Sequence, residues 1–195
     1  TCKRWNIDER TYRDLVEFRL SWRIYVSRHL NPENLQKHFS KQQRRFDGTR
    51  FQIDLLSRPS PAGDSPQRLT AAQELTDVRQ RIVRNDITWD EAFNDLRREP
   101  GTQLISRQWV RGTGDLEPSL VDVLIEMAAE QDAQPPQLSE VIHSASGVHL
   151  IRMHEIEFGT LELEAVRDEV RAHMLVHMLQ HLAQASQETL PLHSR

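Results

Sequence analysis

Residues 138–153, LSEVIHSASGVHLIRM, constrain the fold more than any other stretch of the chain. A polar approach ends in a break at Ser146-Gly147, after which Val148, Leu150 and Ile151 form a short apolar run with His149 embedded in it. β-Branched and aliphatic residues bounded by glycine read as a turn followed by a strand. A histidine inside a buried strand must be hydrogen-bonded, and on pattern alone a satisfied core imidazole outranks a catalytic one.

Upstream, FQIDLL at 51–56 is a second strand candidate, introduced by Asp47-Gly48 and closed by Pro59. The Pro- and Gly-rich segment 57–67 reads as a surface loop. Thr70 with Gln73, and Thr88 with Glu91, have the spacing of capping boxes. The first precedes an apolar face of Ala72, Leu75, Val78 and Ile82; the second opens a shorter helix through Trp89, Ala92, Phe93 and Leu96. Residues 104–110 read as a strand, and Pro118 starts a helix carrying Leu120, Val121, Leu124, Ile125 and Ala128. Pro135-Pro136 breaks the chain before Leu138. The order strand, helix, helix, strand, helix, strand defines an α+β class, a small sheet with helices against it.

Helical periodicity brackets this core. Leu15, Phe18, Trp22, Tyr25 and Val26 recur at steps of three and four, with arginines between them. Asn31-Pro32 restarts a helix bearing Leu35, Phe39 and Phe46. Thr160 is read as the cap of a last long helix with a stripe of Leu163, Val166, Val170, Met174, Met178 and Leu182. The first and last helices each lack a partner and are expected to pack together, with the α+β part inserted between them. The boundaries expected are 1–47 for the first helical part, 48–158 for the α+β domain and 159–195 for the closing helix.

Composition removes several function classes. The chain has 195 residues, a net charge of -4 and 28% charged residues, which announces neither a nucleic-acid binder nor a disordered acidic chain. The charge is uneven: 3–50 is basic and the remainder acidic. The arginines of the first helix alternate with acidic and aromatic residues and read as a solvated face. The single Cys2 excludes an intrachain disulfide. No apolar run reaches bilayer length, and no signal peptide is visible.

In order along the chain, FDGT at 46–49, TWDEA at 88–92, Trp109, LEPSL at 116–120 and SEVIHSASGVHLI at 139–151 are together similar to parvulin-type peptidyl-prolyl isomerase domains. The flanking helices resemble the chaperone parts of SurA-like and PrsA-like folding factors. The resemblance spans about 46–157 and implies a small antiparallel sheet with packed helices. It places His149, Asp54 and Ser144 at catalytic positions, and Trp109, Leu116, Leu120, Ile125, Ser146 and Val148 around a substrate proline. It implies no cofactor, an unfolded or proline-containing polypeptide as partner, and an exported or periplasmic location.

The departures from that pattern carry as much information. Family members pair the last-strand histidine with one on the first strand; here that position falls on Ile53 or Asp54, and no histidine lies between His38 and His143. The family's Gly-rich loop is replaced by Leu104-Ile105-Ser106-Arg107-Gln108, and a pocket phenylalanine by Ser146. Rotation about an X-Pro amide faces a barrier of about 18 to 20 kcal/mol, lowered by favouring the twisted amide over the planar one. Loss of one histidine leaves His149 differently bonded, so isomerase activity is expected to be weak or lost. A polypeptide-binding folding factor is therefore the leading reading. An isomerase with an altered site and a non-catalytic interaction module stand as alternatives.

His173, His177 and His181 share one face of the last helix at metal-ligand spacing. No further ligand type accompanies them, and a solvated or partner-facing edge is the reading adopted. Self-association through the terminal helices is left open. Gly112 and Gly114 lack the context of a phosphate loop, and Ser144 with His149 lacks a nucleophile turn.

Overall fold

A computed structural model describes residues 7–61, 63, 65–129 and 136–189, with backbone alone for 184–189. Cys2 and Pro135 lie outside the described residues. The elements in order are α1 (Glu9–His29), α2 (Pro32–Lys41), α3 (Gln43–Phe46), β1 (Arg50–Pro59), α4 (Pro66–Val83), α5 (Trp89–Leu96), β2 (Gln103–Arg111), α6 (Pro118–Ala129), β3 (Gln137–Leu138), β4 (Ile142–His143), β5 (Gly147–Glu157) and α7 (Leu163–Thr189). They fall into two compact units, one of Thr1–Gln43 with Glu162–Arg195, the other Arg44–Leu161. The class is α+β.

In the second unit the sheet runs β2-β1-β5-β3, with β4 also on β5, and the pairings are antiparallel. Alternation along the two central strands sends side chains to opposite faces. Phe51, Ile53 and Leu55 of β1, with Ile151 and Met153 of β5, meet Leu120, Leu124 and Met127 of α6. Leu56, Val148 and Leu150 meet Ala71 and Leu75 of α4 and Trp89 and Leu96 of α5. Both strands are covered on both faces, which is why they read as apolar runs. Each fully buried aliphatic side chain contributes roughly 1.5–3 kcal/mol.

Local rules account for most boundaries. Thr88 and Glu91 form the expected capping box: Thr88 Oγ1 accepts the Glu91 N–H at 3.2 Å, and the Glu91 carboxylate accepts the Thr88 N–H at 2.8 Å. The Thr70 reading needs correction, because α4 begins one turn earlier, at Pro66. Ser65 Oγ accepts the Arg68 N–H at 3.2 Å, Pro66 occupies the first turn, and Thr70 lies inside the helix, its hydroxyl on Pro66 O. Likewise α7 starts at Leu163 rather than next to Thr160, and it breaks at Val166, whose backbone is non-helical. The loop expected over 57–67 is shorter, since β1 continues through Pro59.

In the first unit Asp8 caps α1 and Asn31 caps α2, with Pro32 in its first turn. Leu35 and Phe39 of α2 are buried, as are Leu163, Val166, Val170 and Met178 of α7. The helix that packs on α7 is α2, where His38 Nε2 lies 3.0 Å from His173 Nδ1. By contrast, none of the 21 residues of α1 is buried.

Candidate functional site

Antiparallel register sets His149 opposite Ser57 of β1 on one side and opposite Ile142 of β4 on the other. The β4–β5 hairpin is closed by Ser144 N–H donating to Gly147 O at 2.9 Å, and an Arg68 guanidinium N–H from α4 donates to Ser144 O at 2.7 Å. Gly147 passes so close to β1 that a Cβ there would lie 2.3 Å from Arg58 O. Only glycine lets β5 begin against β1 at this register, and that register aims His149 at the hydroxyls.

The imidazole is 3% exposed. Ser57 Oγ lies 2.7 Å from Nδ1, and Ser144 Oγ lies 2.7 Å from Nε2. Ser146 Oγ is farther, at 3.5 Å from Nε2 and 3.1 Å from Ser144 Oγ, and Ser146 is exposed where Ser144 is buried. A neutral ring satisfies both close contacts by donating from one nitrogen and accepting at the other. Burial lowers the His149 pKa; the nearby Glu117 carboxylate opposes this, while Arg68 and His143 add to it. Glu117, at the start of α6, is held below the ordinary carboxylate range by the Ser146 hydroxyl first and then by Ser144 and His149, against its own burial. The result is a neutral imidazole in a hydroxyl cage, with one anionic and one cationic group nearby. No carboxylate sits at Nδ1, so the arrangement does not activate a serine as a triad would.

Asp54 does not join this cluster. Its position opposite His149, expected from the sequence, is taken by Ser57; Asp54 pairs with Arg152. Asp54 and Leu56 share the α4–α5 face, whereas Ser57 and His149 share the α6 face with Leu55 and Ile151. On its face Asp54 ties two irregularities together. The β1–β5 register shifts between Gln52 and Ile53, leaving His154 as an extra residue; the β1–β2 register shifts between Ile53 and Leu55, beside Arg107. Arg107 has a φ of 49° and donates its N–H to Asp54 Oδ1 at 2.8 Å, while His154 Nε2 donates to Oδ2 at 2.6 Å. Burial pushes the Asp54 carboxyl up, but the Arg107 N–H, His154 and the Trp89 indole together outweigh it, and the net shift is downward. The Trp89 Nε1 has no hydrogen-bond partner of its own among the described residues, and its share is the smallest of the three.

The remaining residues of the expected site divide between the faces. Leu116, Leu120 and Ile125 belong to the α6-side core, Leu120 fully inside it and the other two at its edge. Ser146 lies beside His149. Val148 is buried in the α4–α5 core. Trp109 is set opposite Gln52, with the Arg50 guanidinium 5.3 Å from its ring centre, on the face away from Phe51 and Val110. Ser57 and Glu117 are the members the sequence reading missed. Ser57 lies 92 residues from His149, and only the strand register reveals the pairing.

Among cavities in the second unit, one of about 730 Å³ lies between α6 and residues 137–143. Another of about 360 Å³ is lined by Ile82, Trp89, Leu138 and Arg152. His149 lines neither of these two. Among the described residues no group of three His, Cys, Asp or Glu side chains is arranged to hold a metal ion, and no helix is long and apolar enough to cross a membrane.

No family model matches the chain, and no curated protein matches it. Among solved structures it is similar to the peptidylprolyl isomerase PrsA of Bacillus anthracis, at 12% identity and a TM-score of 0.43, over 88% of this chain and 68% of that one. It is similar to PrsA of Bacillus subtilis at 12% identity and a TM-score of 0.35, over 96% and 68%. A SurA-like chaperone of Campylobacter jejuni follows at 10% identity and a TM-score of 0.34, over 100% and 79%.

Proposed function

We propose that this chain is a folding factor that binds unfolded polypeptide, and that its isomerase site is weak or silent. The observation that carries the first part is α1. Tyr12, Leu15, Val16, Phe18, Leu20 and Ile24 are all exposed, Phe18 at 62%, in a helix with no buried residue. Six exposed large apolar side chains on one helix exceed the singly scattered surface apolar residues that need no explanation. The adaptable Met174 is only partly buried on α7. Supporting the second part, the ring facing His149 across β1 is absent and a serine hydroxyl stands in its place. Resemblance to the exported SurA-like and PrsA-like factors favours an exported location.

The test is suppression of aggregation of a chemically denatured client on dilution into the full chain. The wild type is expected to suppress it at near-equal molar ratio. Leu15→Gln with Phe18→Gln, which keeps helix propensity, is expected to suppress it several-fold less well. Equal suppression by both proteins, or none by either, would contradict the proposal.

A further inference from the structure

Within the first unit, a cavity of about 540 Å³ is floored by Trp22, Val26 and Leu30 and rimmed by Arg19 and Arg23 of α1 and Arg171 of α7. Its size is that of a small ligand site. The three floor residues are half-buried and the three arginines exposed. None of these arginines forms an ion pair with a described residue, although other arginines of the chain do. Arg19 and Arg23 stand one helical turn apart, a spacing at which like charges repel. A third guanidinium from another helix adds to the repulsion. An apolar floor under unpaired, mutually repelling cations is complementary to a group that is apolar in the middle and anionic at its edge.

We propose that this cavity is a subsite for polypeptide segments in which an acidic residue adjoins a large apolar one. The inference rests on the folding-factor reading and names the class of segment that it prefers. The apolar side chain fills the floor against Trp22, whose ring continues into Tyr25 and His29, with centroids 6.0 and 4.2 Å apart in turn. The carboxylate takes the guanidinium rim, where Arg offers paired N–H donors to two oxygens. A nucleic acid fits less well, because Glu9, Asp14 and Glu17 on the same helix would oppose a long polyanion laid along it, whereas a short segment meets only the cationic end.

The experiment uses the full chain and three fluorescein-labelled peptides of alternating polar and apolar residues. The apolar positions are Leu and Phe throughout; the polar positions are Asp, Asn or Lys. Fluorescence anisotropy at low salt is expected to show the Asp peptide binding roughly tenfold tighter than the Asn peptide, the size of a few exposed ion pairs. The preference should shrink at about 0.5 M salt, where the Debye length falls to a few ångströms. Replacing Arg19, Arg23 and Arg171 together by Gln should erase the preference, so that Asp and Asn peptides bind alike, with helical circular dichroism unchanged. Equal binding of Asp and Asn peptides by the wild type, or a preference that survives the triple variant, overturns the subsite while leaving the folding-factor reading intact. Absence of binding to all three overturns both. Arginine-dependent binding of duplex DNA without a preference for the Asp peptide also overturns the subsite.

Discussion

The two units use their apolar residues differently. In the sheet unit Phe51, Ile53, Leu55 and Leu56 of β1 and Val148, Leu150, Ile151 and Met153 of β5 are buried, and the buried Asp54 and His149 have partners at hydrogen-bond distance. In the helical unit Leu35 and Phe39 of α2 and Leu163, Val166, Val170 and Met178 of α7 are buried, while α1 leaves six large apolar side chains exposed. Side chains that contribute little to the unit's own burial are available for another chain. The contrast predicts that substitutions in the sheet unit change stability, whereas those on α1 change binding and leave stability nearly alone.

The largest effect is expected at Asp54. Asp54→Ala removes the acceptor that joins the Arg107 and His154 irregularities and leaves a part-buried N–H and a part-buried imidazole without it. That should cost about 3 kcal/mol in urea denaturation. A loss below about 1 kcal/mol would mean that the bulges hold without the carboxylate. Because the folded Asp54 pKa is depressed, its contribution is fully present above the unfolded value, near 3.9, and is lost as pH falls through the lower folded value. On the other side of the contrast, Leu15→Gln and Phe18→Gln should each shift stability by less than about 0.5 kcal/mol while weakening client binding several-fold. A large loss of stability would show that α1 is buried in solution.

A smaller effect concerns His149. Burial depresses its folded pKa, so the unfolded chain takes up a proton first as pH falls below about 6.5. Stability attributable to this ring is present above that pH and declines between the unfolded and folded values. His149→Gln, which keeps a donor and an acceptor, should make the stability profile between pH 7 and 5 shallower than that of the wild type; an unchanged slope would place the titrating group elsewhere. The smallest effect is catalytic. Turnover of a proline-containing tetrapeptide should be near the uncatalysed rate and insensitive to His149→Ala. Turnover abolished by that substitution would restore the isomerase reading and move the function from α1 to β5.

What could be read from the residues follows the physics of each signal. The apolar runs of β1 and β5, the Thr88–Glu91 box and the Asn31-Pro32 restart are local, and each lies where its pattern places it. The Ser65-Pro66 cap was masked by the Thr70–Gln73 spacing, which imitates a box inside an established helix. The Asp54 bridge had no local sign, because Arg107 takes a positive φ without glycine to announce it. Ser57 and Glu117 reach His149 only through strand register and the start of α6, relations that no spacing along the chain encodes. Likewise, periodicity showed that α1 has an apolar stripe and could not show that Leu15 and Phe18 of it stay exposed while Trp22, Tyr25 and Val26 are half-buried.

Where a client touches the protein decides between α1 and the sheet as the binding surface. Hydrogen–deuterium exchange of the full chain, alone and with a permanently unfolded client, measures this peptide by peptide. The prediction is added protection over residues 12–26 of α1, with residues 50–59 and 147–157 unchanged. Protection confined to those two strands and the Ser144–Ser146 turn, with α1 exchanging as in the free protein, would contradict it.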